Sequence, residues 1–303
     1  MQFFKLGNHF QRVLTAAALA ALVALVATLM AFSATAVAQQ VQEVRETKLA
    51  EGVYMLEGQG GNMMLVTTPT HTLLVDAQFA RMAESIADKI ATLAEVPLTY
   101  LFNTHFHGDH VGANQYLGEE LGAKIIAHRN VRERLAANEE FPRTGLPTIL
   151  ADHWLQMNLG EHSLTMHHYA TAHTDGDMVV WVDGHNIVHV GDLFFVDRFP
   201  FIDLNAGGTV QGYIDAIAAL TENMDEHTQI VPGHGPLMNK TGYLRLHDMI
   251  IATREQVRAW HAAGADVDTM VAAGLGAEWA DWSWNFINEE RWIRTLYNDL
   301  LAE

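Results

Sequence analysis

The 303-residue chain contains no cysteine. That absence excludes disulfides, a thiolate metal site, a cysteine nucleophile and a lipidated cysteine at a processed N-terminus. Basic residues are scarce as well: Lys+Arg number 18 against 36 Asp+Glu, a formal net charge of −18. So acidic a chain does not suit a nucleic-acid backbone or an anionic membrane surface as main partner, because both select clustered Lys and Arg. A small-molecule substrate fits better. Low-complexity linkers are also missing from residues 39–303, which therefore read as one domain.

Acids are missing altogether from residues 1–38. There Lys5 and Arg12 flank the apolar run LTAAALAALVALVATLMAF, which leads to Ala36-Val37-Ala38. A basic flank, an apolar segment and a small-x-small site predict a signal peptide, residues 1–38, cut after Ala38. Its removal leaves 16 basic against 36 acidic residues, a net charge of −20. The expected location is outside the cytosol, in the periplasm, with no stable membrane contact. The alternative is an uncleaved anchor, since the run from Val13 to Phe32 has about the length that spans a bilayer.

Beyond this leader, a hydrophobic content of 49% supplies a sizeable core. VRETKLAEGVYMLEG, NMMLVTT and HTLLVDA carry the patterns of three or four short strands. ARMAESIADKIATLAEV has Ala, Ile and Leu at helical spacing and stops before Pro97. A strand in PLTYLFNT, a helix in ANQYLGEELG, a strand in KIIAH and a helix in VRERLAANEE follow. After the loop FPRTGLP come strands in LTMHHYA, MVVWVD and NIVHVGD, a helix in VQGYIDAIAALTEN and a strand in QIVPGHG. Residues 243–263 and 282–301 read as helices. This alternation predicts a layered α/β domain with both sheet faces covered.

What the chain does have is histidine, 17 in all, and one stretch concentrates it. NTHFHGDHVG, residues 103–112, places His105, His107, Asp109 and His110 between a strand and a helix. His105 and His107 alternate along extended backbone and can point the same way. Asp109 and His110 sit past Gly108 and can face a second position nearby. Three later strand exits, each flanked by glycine, add candidates: His173 in ATAHTDGD, Asp192 in HVGDLFF and His234 in VPGHG. Singly, each has an ordinary reading as a turn residue or helix cap. Together the seven nitrogen and oxygen donors are what two adjacent divalent ions need.

His105-x-His107-x-Asp109-His110 followed in order by His173, Asp192 and His234 resembles the metallo-β-lactamase-fold hydrolase superfamily, over essentially the whole mature chain. The resemblance implies a four-layer αββα sandwich with metals at one edge between the two sheets. It implies that His105, His107 and His173 hold one ion, that Asp109, His110 and His234 hold the other, and that Asp192 bridges them. Two departures narrow the activity. Members with a cysteine ligand carry it where this chain has Asp192, and their substrate-gripping lysine three residues on is Phe195 here. Asp192 is instead similar to the bridging aspartate of lactonases, glyoxalase II-like thioesterases and RNA-processing members. GDLFFVDRFPFID with Gly207-Gly208 resembles a secreted branch named after β-lactamases or cyclases.

Two cations a few Å apart lower the pKa of a shared water to about 7, giving hydroxide at neutral pH to attack a carbonyl. The expected activity is hydrolysis of a cyclic amide or ester, β-lactamase-like or lactonase-like, with Asp109 as proton carrier. Zinc is the default ion for His/Asp donors, with manganese or iron compatible. A glyoxalase II-type thioesterase and a persulfide oxygenase of the same fold are the alternatives. Arg198, in an aromatic loop after Asp192, is the candidate for a substrate carboxylate, or else it pairs with Asp197 or Asp203. The GQGGN turn resembles a mobile flap over the pocket. Trp154, Trp181, Trp279, Trp282, Trp284 and Trp292 are expected to pack rather than to line it.

Overall fold

Residues 43–303 are described by a computed structural model; the leader and its expected cleavage site after Ala38 lie outside them. Seven strands form the first sheet in sequence order: β1 (Arg45–Ala50), β2 (Val53–Glu57), β3 (Met63–Thr67), β4 (Thr72–Val75), β5 (Tyr100–Asn103), β6 (Lys124–His128) and β7 (Ile149–Ala151). The first four pair antiparallel, and β4 through β7 run parallel. The second sheet holds β8 (Trp154–Leu159), β9 (His162–Tyr169), β10 (Asp177–Val182), β11 (Ile187–His189) and β12 (Gln229–Val231). Only its β11–β12 pair is parallel.

The layers follow from side-chain alternation. In β3, Met64 and Val66 join Leu164, Met166, Met178 and Val180 between the two sheets. Met63 and Leu65, one residue out of phase, face away toward Ile86, Ile90 and Leu117. In β10, Val179 likewise turns outward onto a helical layer with Tyr213, Ile217, Leu246 and Trp292. Strands buried on both faces therefore read as near-continuous apolar runs. Two mixed sheets flanked by helices make the αββα sandwich, and residues Gln42–Glu303 form one compact unit.

The helices are α1 (Ala83–Leu93), α2 (Gly108–Val111), α3 (Asn114–Glu119), α4 (Arg129–Ala137), α5 (Val210–Glu222), α6 (Lys240–Ala262), α7 (Val267–Ala273) and α8 (Glu289–Ala302). Helix α1 buries Ala83, Ile86 and Ile90, a single stripe at helical spacing. Side-chain caps start the later ones: Thr209 Oγ1 accepts from Gly212 N at 2.9 Å, and Asn288 Oδ1 from Arg291 N at 2.9 Å. Such caps stabilise by about 1 kcal/mol each. Three elements had no distinct sequence signal. Strand β7 is a three-residue edge, β8 alternates exposed Trp154, Gln156 and Asn158 with half-buried Leu155 and Met157, and α7 buries only Met270. Among the described residues no helix is long and apolar enough to cross a membrane.

Where β6 meets α4, the rings of His128 and His168 stack with centroids 3.8 Å apart. His128 Nδ1 accepts from Asn130 N at 3.2 Å as the helix cap, and His168 Nε2–H reaches the Asp175 carbonyl at 3.0 Å. Burial, and then the neighbouring His168, pull the His128 pKa down to about 4. A histidine depressed in the fold takes its proton first in the unfolded chain. Its contribution is therefore neutral above about pH 6.5 and destabilising as pH falls toward 4. With a discount for solvent screening, the expected loss is about 1–2 kcal/mol across that window. Urea unfolding of wild type and His128→Asn, which keeps a cap acceptor without the titration, checks this: the wild-type pH slope should exceed the variant's. Parallel slopes would remove His128 as the cause.

Candidate metal centre

Each of the seven sequence-derived donors sits just past a strand. The chain leaves β5 through Thr104 to His105 and His107; His107 is the residue before α2, whose first turn carries Asp109 and His110. His173 lies between β9 and β10, Asp192 in a 3-10 turn (Gly191–Leu193) after β11, and His234 after β12. The strand ends of both sheets thus converge at one edge, where loop side chains can meet over a rigid scaffold.

They do meet. One donor atom from each of His105, His107, His173 and Asp192 lies within 4.8 Å of the others, and so do those of Asp109, His110 and His234. Asp192 stands between the groups. Its Oδ2 is 3.7 Å from His105 Nε2 and 3.5 Å from His173 Nε2, while its Oδ1 is 3.0 Å from His110 Nε2 and 3.4 Å from His234 Nε2. One carboxylate oxygen faces each group. The His110–Asp192 approach is close but not aligned for hydrogen bonding, and His105 Nε2, His110 Nε2 and Asp192 Oδ1 are buried without a hydrogen-bond partner. Orphaned buried polar atoms are costly, and these converge from several strands. The donor set fits divalent cations and not simply a polar core.

The far side of each ring is anchored. His110 Nδ1 lies 2.7 Å from Asp76 Oδ2, His105 Nδ1 3.0 Å from Thr104 Oγ1, and His107 Nε2 3.1 Å from Asp203 Oδ2. His173 Nδ1–H donates to the Phe201 carbonyl at 2.7 Å. These bonds turn His105 Nε2, His107 Nδ1, His110 Nε2 and His173 Nε2 inward and fix their tautomers, as outer-shell partners do around metals. Asp76 also accepts from Thr104 N at 2.8 Å and Thr104 Oγ1 at 2.7 Å. Its φ of 65° puts a non-glycine residue in the left-handed region, strain of about 1 kcal/mol or more that aims the carboxylate back under the cluster.

The charges are mutually adjusted. Burial pushes the Asp192 carboxyl up, but the surrounding His110, His234 and His105 outweigh it and hold the pKa well below the usual range. Burial keeps His173 neutral, at about 3. His234 goes the other way: burial opposes its charge, yet Asp192 and Asp109 raise it to about 9.

The surroundings differ in places from the sequence reading. Asp197 is taken by Arg245 and Asp203 by His107, so neither carboxylate pairs with Arg198, which lines the pocket with its guanidinium 5.4 Å from the Trp284 ring centroid. The GQGGN turn is pinned at its root. Gly60 N donates to Gln78 Oε1, Gln78 Nε2 to the Gly61 carbonyl, and Asn62 Nδ2 to the Pro232 and Gly235 carbonyls. Gly61 packs against the His110 ring, where any Cβ would collide. Two tryptophans expected to pack do otherwise: Trp154 is 62% exposed, and Trp284 walls the pocket. Trp282 and Trp292 are buried as expected.

Asp76, Thr104 and Gln78 escaped the sequence reading, and Asp203 entered it only as a partner for Arg198, not for His107. Asp76 left one signal, an acid directly after the buried run TLLV.

Fold and donors together define a metal-binding hydrolase with a candidate dinuclear site. The chain belongs to the metallo-beta-lactamase superfamily, whose family model matches residues 56–234. The probable metallo-hydrolase YqgX of Bacillus subtilis is 29% identical over 150 residues, covering 46% of this chain and 69% of that one. Metallo-beta-lactamase IND-1 of Chryseobacterium indologenes is 23% identical over 189 residues, 60% of this chain and 75% of that one. Among solved structures, a metallo-beta-lactamase from Pontibacter korlensis superposes with a TM-score of 0.61 at 18% identity, covering 69% of this chain and 99% of its own.

Proposed function

We propose that this chain is an exported hydrolase that opens cyclic amides or esters, using two divalent cations, zinc by the character of the donors. The observation that carries the reading is Asp192, with one carboxylate oxygen turned to each donor group. His105, His107 and His173 would hold one ion, Asp109, His110 and His234 the other, and Asp192 both. Bound there, the cations would supply a water ionised near neutral pH and a Lewis acid for the carbonyl oxygen. Asp109 lines the pocket with its Oδ2 3.3 Å from His234 Nε2. Burial raises its pKa, but His110 and His234 pull it below the ordinary value. It is therefore ionised at neutral pH and is placed to take the proton released in the attack. Arg198, without Asp197 or Asp203 as partner, is free to receive a substrate carboxylate. Residues 1–38 serve as an export signal cut after Ala38, which puts the enzyme in the periplasm.

Elemental analysis of protein loaded with excess zinc and desalted should find about two ions per chain. The same preparation should hydrolyse a β-lactam or a lactone faster than a thioester. One ion or none would sink the two-metal reading, and a thioester preference would reassign the substrate.

A further inference from the structure

The family match ends at residue 234, yet the pocket does not. Trp284 and Phe286, from the segment before α8, join Phe195 and Phe201 in lining a cavity of about 500 Å³ that opens onto His107, Asp109, Asp192 and His234. Phe286 is 47% exposed. An exposed phenylalanine at the mouth of a site, with other rings around it, is unlike the scattered apolar residues of an ordinary surface. Trp284 lies 5.9 Å from Phe195 and 5.6 Å from Phe286, and Phe201 lies 5.2 Å from Phe286, centroid to centroid. The rings are tilted or edge-on to one another; Phe195 is buried and stacks on His234, so the accessible apolar surface is that of Phe286 with the half-buried Phe201 and Trp284.

This wall is held in place. Trp284 Nε1–H donates to the Phe199 carbonyl at 2.9 Å, and Phe199 N donates back to Trp282 O at 2.9 Å. Trp284 N donates to Ile287 O at 3.0 Å, and Glu289 N to Ser283 Oγ at 3.0 Å. Arg291 donates to the Phe286 carbonyl at 2.9 Å and lays its guanidinium 4.2 Å from the Phe286 centroid and 5.2 Å from that of Phe201. That clamp spends an arginine on orienting two rings. A segment braced at so many points presents its rings without an ordering cost on binding.

We infer that Phe195, Phe201, Trp284 and Phe286 form a subsite for a flat apolar group of the substrate, most simply an aryl ring beside the scissile carbonyl. The inference deepens the proposed hydrolase reading and rests on it for the word substrate. It makes the segment after α7, outside the family-matched residues, a contributor to substrate choice. Small aliphatic lactones leave the rings unfilled, whereas aryl-bearing ones cover them.

The first measurement needs neither metal nor turnover: calorimetric binding of 2-naphthamide, a neutral flat probe, to metal-free protein. Phe286→Ala and Trp284→Ala should each weaken binding by about tenfold, the effect of losing one aromatic contact of about 1.4 kcal/mol. Phe286 is exposed, so its variant keeps the fold even if Trp284→Ala does not. The second measurement is the kcat/KM ratio for two uncharged lactones differing only in phenyl against methyl, on zinc-loaded protein. Wild type should favour the phenyl compound, and Phe286→Ala should cut that preference by about tenfold through the phenyl compound alone. Less than a twofold change for Phe286→Ala in both measurements overturns the subsite. Probe binding that depends on Phe286, without hydrolysis of any lactone, β-lactam or ester, keeps the subsite and overturns the hydrolase reading.

Discussion

Asp192→Ala should reduce the zinc content from about two ions per chain to about one and lower kcat/KM by at least about a hundredfold. The carboxylate reaches both donor groups, with His110 and His234 against one oxygen and His105 and His173 against the other. Without it the first group keeps three histidines, enough for a tetrahedral ion with one open position, while the second loses the ligand that ties it to the first. A factor of a hundred corresponds to roughly 2.7 kcal/mol of transition-state stabilisation, a modest figure for breaking a paired cluster. The competing explanation for a Gly-Asp after a strand is a helix cap, whose loss costs about 1 kcal/mol of stability and leaves activity intact. The structure already weakens it: Val190 occupies the cap position of the Gly191–Leu193 turn, and no side-chain cap bond forms there. Metal content, turnover and thermal unfolding should be measured on the same samples, with Asp192→Asn as the variant that keeps the volume. Full activity with two ions retained would return Asp192 to a structural role.

The donors were legible in the sequence because their signal is local. His105, His107, Asp109 and His110 fall within six positions, and His173, Asp192 and His234 each combine a donor type with a strand exit and a nearby glycine. One of those glycines has a visible reason: Gly233 packs so tightly on Asp192 that a Cβ would overlap its carboxylate. The layers were legible for a similar reason, since strands buried on two faces give unbroken apolar runs. What could not be read depends on residues far apart in sequence. Asp76 is 34 residues from His110, and Asp203 is 96 from His107; neither carries a pattern that names its partner. Trp284 illustrates the same limit, because a tryptophan in a helical C-terminal region most often packs. Its place in the pocket follows from the Phe199 carbonyl 85 positions earlier. Edge strands such as β8 were lost because an exposed edge relaxes the apolar alternation that marks a strand.

Arg198→Ala should separate charged from uncharged substrates. Losing the guanidinium should lower kcat/KM for a carboxylated β-lactam by about ten- to a hundredfold, the value of a charge-assisted contact of roughly 1.5–3 kcal/mol. A neutral lactone should be cleaved almost as before. The lysine that grips the antibiotic carboxylate in cysteine-ligand relatives has Phe195 in its place, and that ring stacks on His234 with centroids 4.9 Å apart. No charge can be supplied from there. Arg198 lines the same cavity, and its neighbours in sequence do not neutralise it, since Asp197 is held by Arg245 at 2.8 Å and Asp203 by His107 at 3.1 Å. A cation beside an indole face, with no hydrogen-bond partner for its guanidinium among the described residues, is well disposed to grip an anion, which is why Arg198→Lys should restore only part of the loss. The net charge, −18 for the full chain and −20 without residues 1–38, works against anionic substrates at a distance, so raising the salt concentration should ease their approach in both proteins. Rates are therefore best compared at one ionic strength. An equal loss on both substrates, or none on the β-lactam, would make Arg198 a structural residue stacked on Trp284 and leave the choice of substrate to the aromatic wall alone.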